Sequence, residues 1–128
     1  IFPHRTLGPD EVIVVAGDAA TCDPAYITVD YELFGAASPG VPNLTRDQGW
    51  GTGEFGLGNA GDEVLLLDPS NHVVDVVVYG SGAYAGVTPH PGVAWGDTLE
   101  RVPANVDTND CAEDFQPGWS PNGVRFSD

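Results

Sequence analysis

Apolar positions along this chain come in short runs, and none is spaced for a helical face. Residues 11–16 hold Val12, Ile13, Val14 and Val15 in succession, β-branched throughout, and predict a buried strand. It follows a turn signal, Leu7-Gly-Pro-Asp, and stops at Gly17-Asp18. Residues 18–23 have room for one helical turn. Residues 26–34 alternate, Tyr26, Thr28 and Asp30 against Ile27, Val29 and Tyr31, and predict a half-buried or edge strand. The clearest local unit is a hairpin: a strand over 63–67, a turn over 68–72 (Asp-Pro-Ser-Asn-His), and a strand over 73–79. Asp75 interrupts an otherwise apolar run there, so it should face solvent or a specific donor. Residues 98–102 predict a last short strand carrying Leu99 and Arg101.

Between these runs lie loops. Residues 48–61 contain Gly49, Gly51, Gly53, Gly56, Gly58 and Gly61, with Phe55 and Leu57 placed to anchor the segment. Residues 35–43 and 80–97 are rich in Gly, Pro and small residues, 107–115 are acidic, and 117–123 read as a closing turn. No helix longer than a turn, repeat or heptad is visible. The 128 residues suit one domain, over 1–128. Gly (17) and Pro (11) together far exceed the average share of about 12%, which favours strands joined by turns and an all-β class.

Charge narrows the partners. Nineteen acidic residues face four Arg and no Lys, a net −15, so nucleic acid and anionic membrane surfaces are disfavoured. Divalent cations and basic partners are favoured. No apolar run approaches the ~18 residues of a membrane-spanning helix. The sequence has no Met and does not open on a basic and apolar leader, so any signal peptide is expected to be gone already. Cys22 and Cys111 are too few for a structural zinc site. Paired as a disulfide they would contribute ~4–5 kcal/mol through chain entropy and imply an oxidising compartment.

Several strings taken together resemble the lamin tail domain of bacterial and archaeal proteins. Leu57-Gly-Asn-Ala-Gly-Asp-Glu-Val-Leu-Leu-Leu-Asp, followed by Val73-Val-Asp-Val-Val-Val-Tyr-Gly, is similar to that family's L-S-N-S-G-D-x-V-x-L-x-D hairpin. Leu7-Gly-Pro-Asp-Glu-Val-Ile-Val-Val-Ala, Thr98-Leu-Glu-Arg-Val, Asp107-Thr-Asn-Asp, Asp114-Phe and Trp119-Ser-Pro-Asn match further pieces in order. The resemblance implies an immunoglobulin-like β-sandwich. It also implies a non-catalytic interaction or adhesion module, extracellular or at the cell surface and part of a larger protein. The family's opening strands have no counterpart here. A sandwich without them exposes a strand edge, and a homodimer through that edge is one expected arrangement.

Candidate chemistry is sparse. Asp107, Asn109 and Asp110, with Glu113 and Asp114 beside them, group oxygen donors suited to Ca2+, although the EF-hand pattern is missing. No other cofactor is expected. His4, His72 and His90 lie in loops and show no metal-ligand spacing. There is no G-x-S-x-G, and the Gly-rich stretch lacks G-K-[ST]. Trp50, Trp95 and Trp119 fall in loops; Trp50 and Trp95 could stack on sugars, so the alternative to a protein-binding module is a carbohydrate-binding one. A calcium-supported hydrolase is the third reading. The expected partner is therefore a protein or a polysaccharide.

Overall fold

The computed structural model describes residues 1–9, 11–25, 27–33, 35–46, 56–94 and 97–118. The chain is described as two compact units, Ile1–Phe55 and Gly56–Asp128. The elements in order are β1 (Val15–Ala16), a 3-10 turn (Ala19–Thr21), β2 (Tyr31–Glu32), β3 (Gly61–Leu67), β4 (Val73–Gly80), β5 (Thr98–Arg101), α1 (Cys111–Asp114) and β6 (Phe115–Gly118). Strands dominate and α1 is a single turn, so the class is all-β, as expected.

In the first unit β1 and β2 pair in parallel, Val15 with Tyr31 and Ala16 with Glu32. The β-branched run predicts a longer strand, but only its last two residues pair. Asp30 explains part of the difference: its Oδ2 takes the Val14 N–H at 2.9 Å, a donor that a sheet partner would otherwise use. Val12 is 78% exposed, so the run is not the buried strand its composition suggests. The 3-10 turn begins at Asp18, whose carboxylate accepts the Ala20 N–H, as capping residues do. Tyr31 is buried under Phe2, whose ring meets it edge-on with centroids 5.6 Å apart. Glu32 is 0% exposed and organises four segments. Its carboxylate accepts from the Ala19 N–H (3.1 Å) and the Ser38 N–H (2.9 Å), while its backbone bonds to Pro42 and Leu44.

The second unit is built on the predicted hairpin. β3 and β4 pair antiparallel from Gly61 against Gly80 to Leu67 against Val73, with a register shift between Leu66 and Leu67. Gly61 has φ 144° and Gly80 has φ 56°. A Cβ on Gly61 would lie 2.0 Å from the Ser81 nitrogen, and one on Gly80 would lie 2.2 Å from the Ala60 oxygen, so only glycine fits this pair. At the other end Asp68 Oδ1 accepts the Ser70 and His72 N–H groups, closing the turn as an Asx motif.

The phase of the ladder follows from its flanks. Ser81 N–H bonds to the Ala60 carbonyl, whereas Val78 and Gly80 bond to His90 on the far side of β4. Antiparallel bonding alternates, so Asp62, Val64 and Leu66 turn their backbone groups toward β4, and Glu63 and Leu65 turn theirs away. Among the described residues β4 is the sole strand partner of β3.

The core of this unit is Val76, Val78, Cys111 and Phe115, flanked by Leu65, Val77, Tyr84, Val87 and Leu99. β5 and β6 pair antiparallel, Thr98 with Gly118 through Arg101 with Phe115. The sequence reading has residues 107–115 as an acidic loop and 117–123 as a turn, so it misses both α1 and β6. Leu57, expected to anchor the glycine-rich loop, is 52% exposed; Phe55 lies outside the described residues.

Candidate functional site

The polar residues singled out in the sequence converge around Arg101 in the second unit. β5 carries its mostly buried side chain between three segments. Nη2 donates to Asp75 Oδ1 at 2.7 Å, Nη1 lies 3.7 Å from Asp107 Oδ1, and the guanidinium sits 4.8 Å from the Phe115 ring centroid. Asp75 thus has the specific donor expected of it, and its Oδ1 also accepts the Val76 N–H. Arginine suits this place because its planar head can bond carboxylates and stack on a ring at once.

The acidic segment beside it is used by its own backbone. Asp107 Oδ1 accepts the Asn109 N–H at 3.1 Å. Asn109 has φ 60°, and its carbonyl takes the Thr88 N–H. Asp110 caps α1, accepting from Ala112 and Glu113. Asp114 is 4% exposed; Oδ2 accepts the Thr108 N–H and Oδ1 the Thr108 hydroxyl, both at 2.8 Å. The Thr108 N–H holds the Asp114 carboxyl below the usual range against the opposing pull of burial, with help from the Thr108 hydroxyl, Arg101 and the Asp110 segment. Asp107, Asn109 and Asp110, the expected Ca2+ ligands, lie together in this one capped turn. Among the described residues no group of three or more His, Cys, Asp or Glu side chains is arranged to hold a metal ion.

Asp62, from the Asn-Ala-Gly-Asp string, follows the same logic. Its two oxygens accept the Gly58 and Glu63 N–H groups at 2.9 Å, and those bonds, Gly58 first, lower its pKa. Tyr79, opposite Asp62, donates its hydroxyl to the Gly58 carbonyl at 3.0 Å.

Cys22, in the first unit, and Cys111, in the second, each carry a free thiol in this structure. Cys111 is 1% exposed, its sulfur accepts the Val78 N–H at 3.4 Å, and its thiol is directed to the Val76 carbonyl. It serves as an apolar core residue with a weak donor. Cys22 is half-buried beside the Asp18 carbonyl.

His4 and His72 are exposed, as loop residues should be, but His90 is buried and accepts the Gly92 N–H on Nδ1. Trp50, Trp95 and Trp119 lie outside the described residues. Glu32 is the buried carboxylate that sequence reasoning missed: in an alternating strand it looks like any solvent-facing acid. Compared with known proteins, the chain matches no family model, no curated protein and no solved structure.

Proposed function

We propose that this chain is a non-catalytic interaction module of lamin-tail type, an immunoglobulin-like β-sandwich working outside the cytoplasm within a larger secreted or surface protein. The observation that carries the reading is the use made of the motif residues. Asp62, Asp75, Asp110 and Asp114 all accept backbone N–H groups of their own fold, and Arg101 ties Asp75 to the 106–107 loop. Residues spent in this way support a scaffold. What the scaffold offers to a partner is surface, including the exposed side chains of Leu66 and Val74 on the hairpin. The extracytoplasmic location and the sandwich architecture rest on the resemblance of the motifs.

An array carrying both secreted proteins and glycans tests this. Retention of the full chain on protein spots, undisturbed by Trp50→Ala and Trp95→Ala, is the expected result. Binding to glycans that either substitution abolishes would replace it with a carbohydrate-binding module.

A further inference from the structure

The hairpin leaves one side of β3 without a strand partner among the described residues, and the hydrogen-bond phase says what that side offers. Gly61 and Glu63 spend their N–H groups locally, on the Gly58 carbonyl and Asp62 Oδ1. The Glu63 carbonyl and both backbone groups of Leu65 point outward with the ladder's alternation. Strand edges in proteins are usually blunted by charged side chains, Pro or a bulge. β3 contains no Pro, its charges are the acidic Asp62 and Glu63 at its start, and its register shift falls at the far end, between Leu66 and Leu67. The stretch from Glu63 to Leu66 is therefore regular, with Glu63 exposed beside these outward-pointing groups, which have no strand partner among the described residues.

We propose that this edge of β3 binds an extended, Lys- or Arg-rich peptide segment of a partner protein as an added strand. Backbone pairing supplies the attachment and alternate side chains the selection, the usual division in strand addition. Charge selects the basic partner. The chain carries −15, Asp62 and Glu63 stand at the start of the edge, and Asp68 directly follows β3. A second copy fits poorly for the same reason. Antiparallel pairing centred on Leu65 would set Asp62 opposite Asp68, and like charges directly opposite destabilise a ladder. This proposal rests on the interaction-module reading and names the partner's chemistry.

The test uses the full chain, isotopically labelled, and a fluorescent peptide of alternating Lys and Val. Controls are an alternating Glu and Val peptide and a backbone N-methylated Lys and Val peptide. In the free protein the Leu65 amide should exchange rapidly with solvent while the Val64 and Leu66 amides are protected. Saturating Lys and Val peptide should slow Leu65 exchange by about tenfold or more, and neither control should do so. Glu63→Lys, an exposed position, should keep the amide spectrum dispersed and weaken peptide binding about tenfold. Four results overturn the proposal: no binding of the Lys and Val peptide, equal binding of its N-methylated form, a protected Leu65 amide in the free monomer, or the same protection with a doubled sedimentation mass. The last two mean that another segment of the chain or a second copy covers the edge. A chain that ignores these peptides yet is retained on the protein array keeps the broader reading and loses only this edge.

Discussion

Asp114 stays charged while nearly buried because Thr108 brings both its N–H and its hydroxyl to the carboxylate. Its pKa lies below the ordinary range in the folded chain, so it contributes stability above about pH 4 that is lost as pH falls through the lower folded value. Asp62, Asp68 and Glu32 share this sign. For Glu32, burial acts upward and is outweighed by the Ser38 hydroxyl and N–H and the Ala19 N–H. The melting temperature should therefore stay level from neutrality to about pH 5 and fall below about pH 4. Asp114→Asn should flatten that fall, and calorimetry that finds the acid limb unchanged in D114N would remove Asp114 from the account. Backbone geometry gives a second prediction at this scale. Gly61→Ala forces a Cβ against the Ser81 nitrogen at a positive φ and should cost ~2 kcal/mol or more in chemical denaturation. Gly56→Ala meets nothing within 4 Å and should stay within about 0.5 kcal/mol of the parent; equal effects at the two sites would refute the steric argument.

At the scale of elements, the hairpin was legible because everything that makes it is local. Its β-branched runs, the Asp-Pro-Ser-Asn-His turn and the Gly61–Gly80 pair sit within one short stretch. Residues 11–16 and 26–34 read as longer strands than β1 and β2 because a parallel pair depends on a partner outside the local segment, and Asp30 takes one of the donors such a pair needs. β6 was hidden by Pro117 and Gly118, which read as a turn and are held in a strand by pairing with β5. The single turn of α1 carries no periodicity to detect; its existence hangs on the Asp110 cap. Asp110→Ala should accordingly cost ~1 kcal/mol of stability by urea unfolding. Exchange rates of the Ala112 and Glu113 amides should rise with it. A variant as stable as the parent would mean that β6 and the core hold the turn unaided. Of the site, the Asp75 to Arg101 pairing was foreseeable, since a carboxylate in an apolar strand calls for a donor and the chain has only four Arg. The burial of Glu32 and His90 was not, because both depend on contacts from distant loops.

For the molecule as a whole, the state of sulfur decides which compartment the chain is suited to. In the structure a thiol reagent added to the native chain should label Cys22 and leave Cys111 until the second unit unfolds. Two thiols appearing in that order, read by intact mass, match the free cysteines described; no thiol in protein recovered from its source would establish the Cys22–Cys111 bridge and the oxidising environment that goes with it. The buried thiol has a use beyond chemistry. An S–H stretch absorbs in an infrared region where proteins are otherwise nearly transparent, and its frequency responds to the acceptor it faces. With Cys22→Ser leaving one band, the Cys111 group, 3.9 Å from the Val76 carbonyl, becomes a native vibrational gauge. It would report any loosening of the interior around the hairpin without a dye or an isotope.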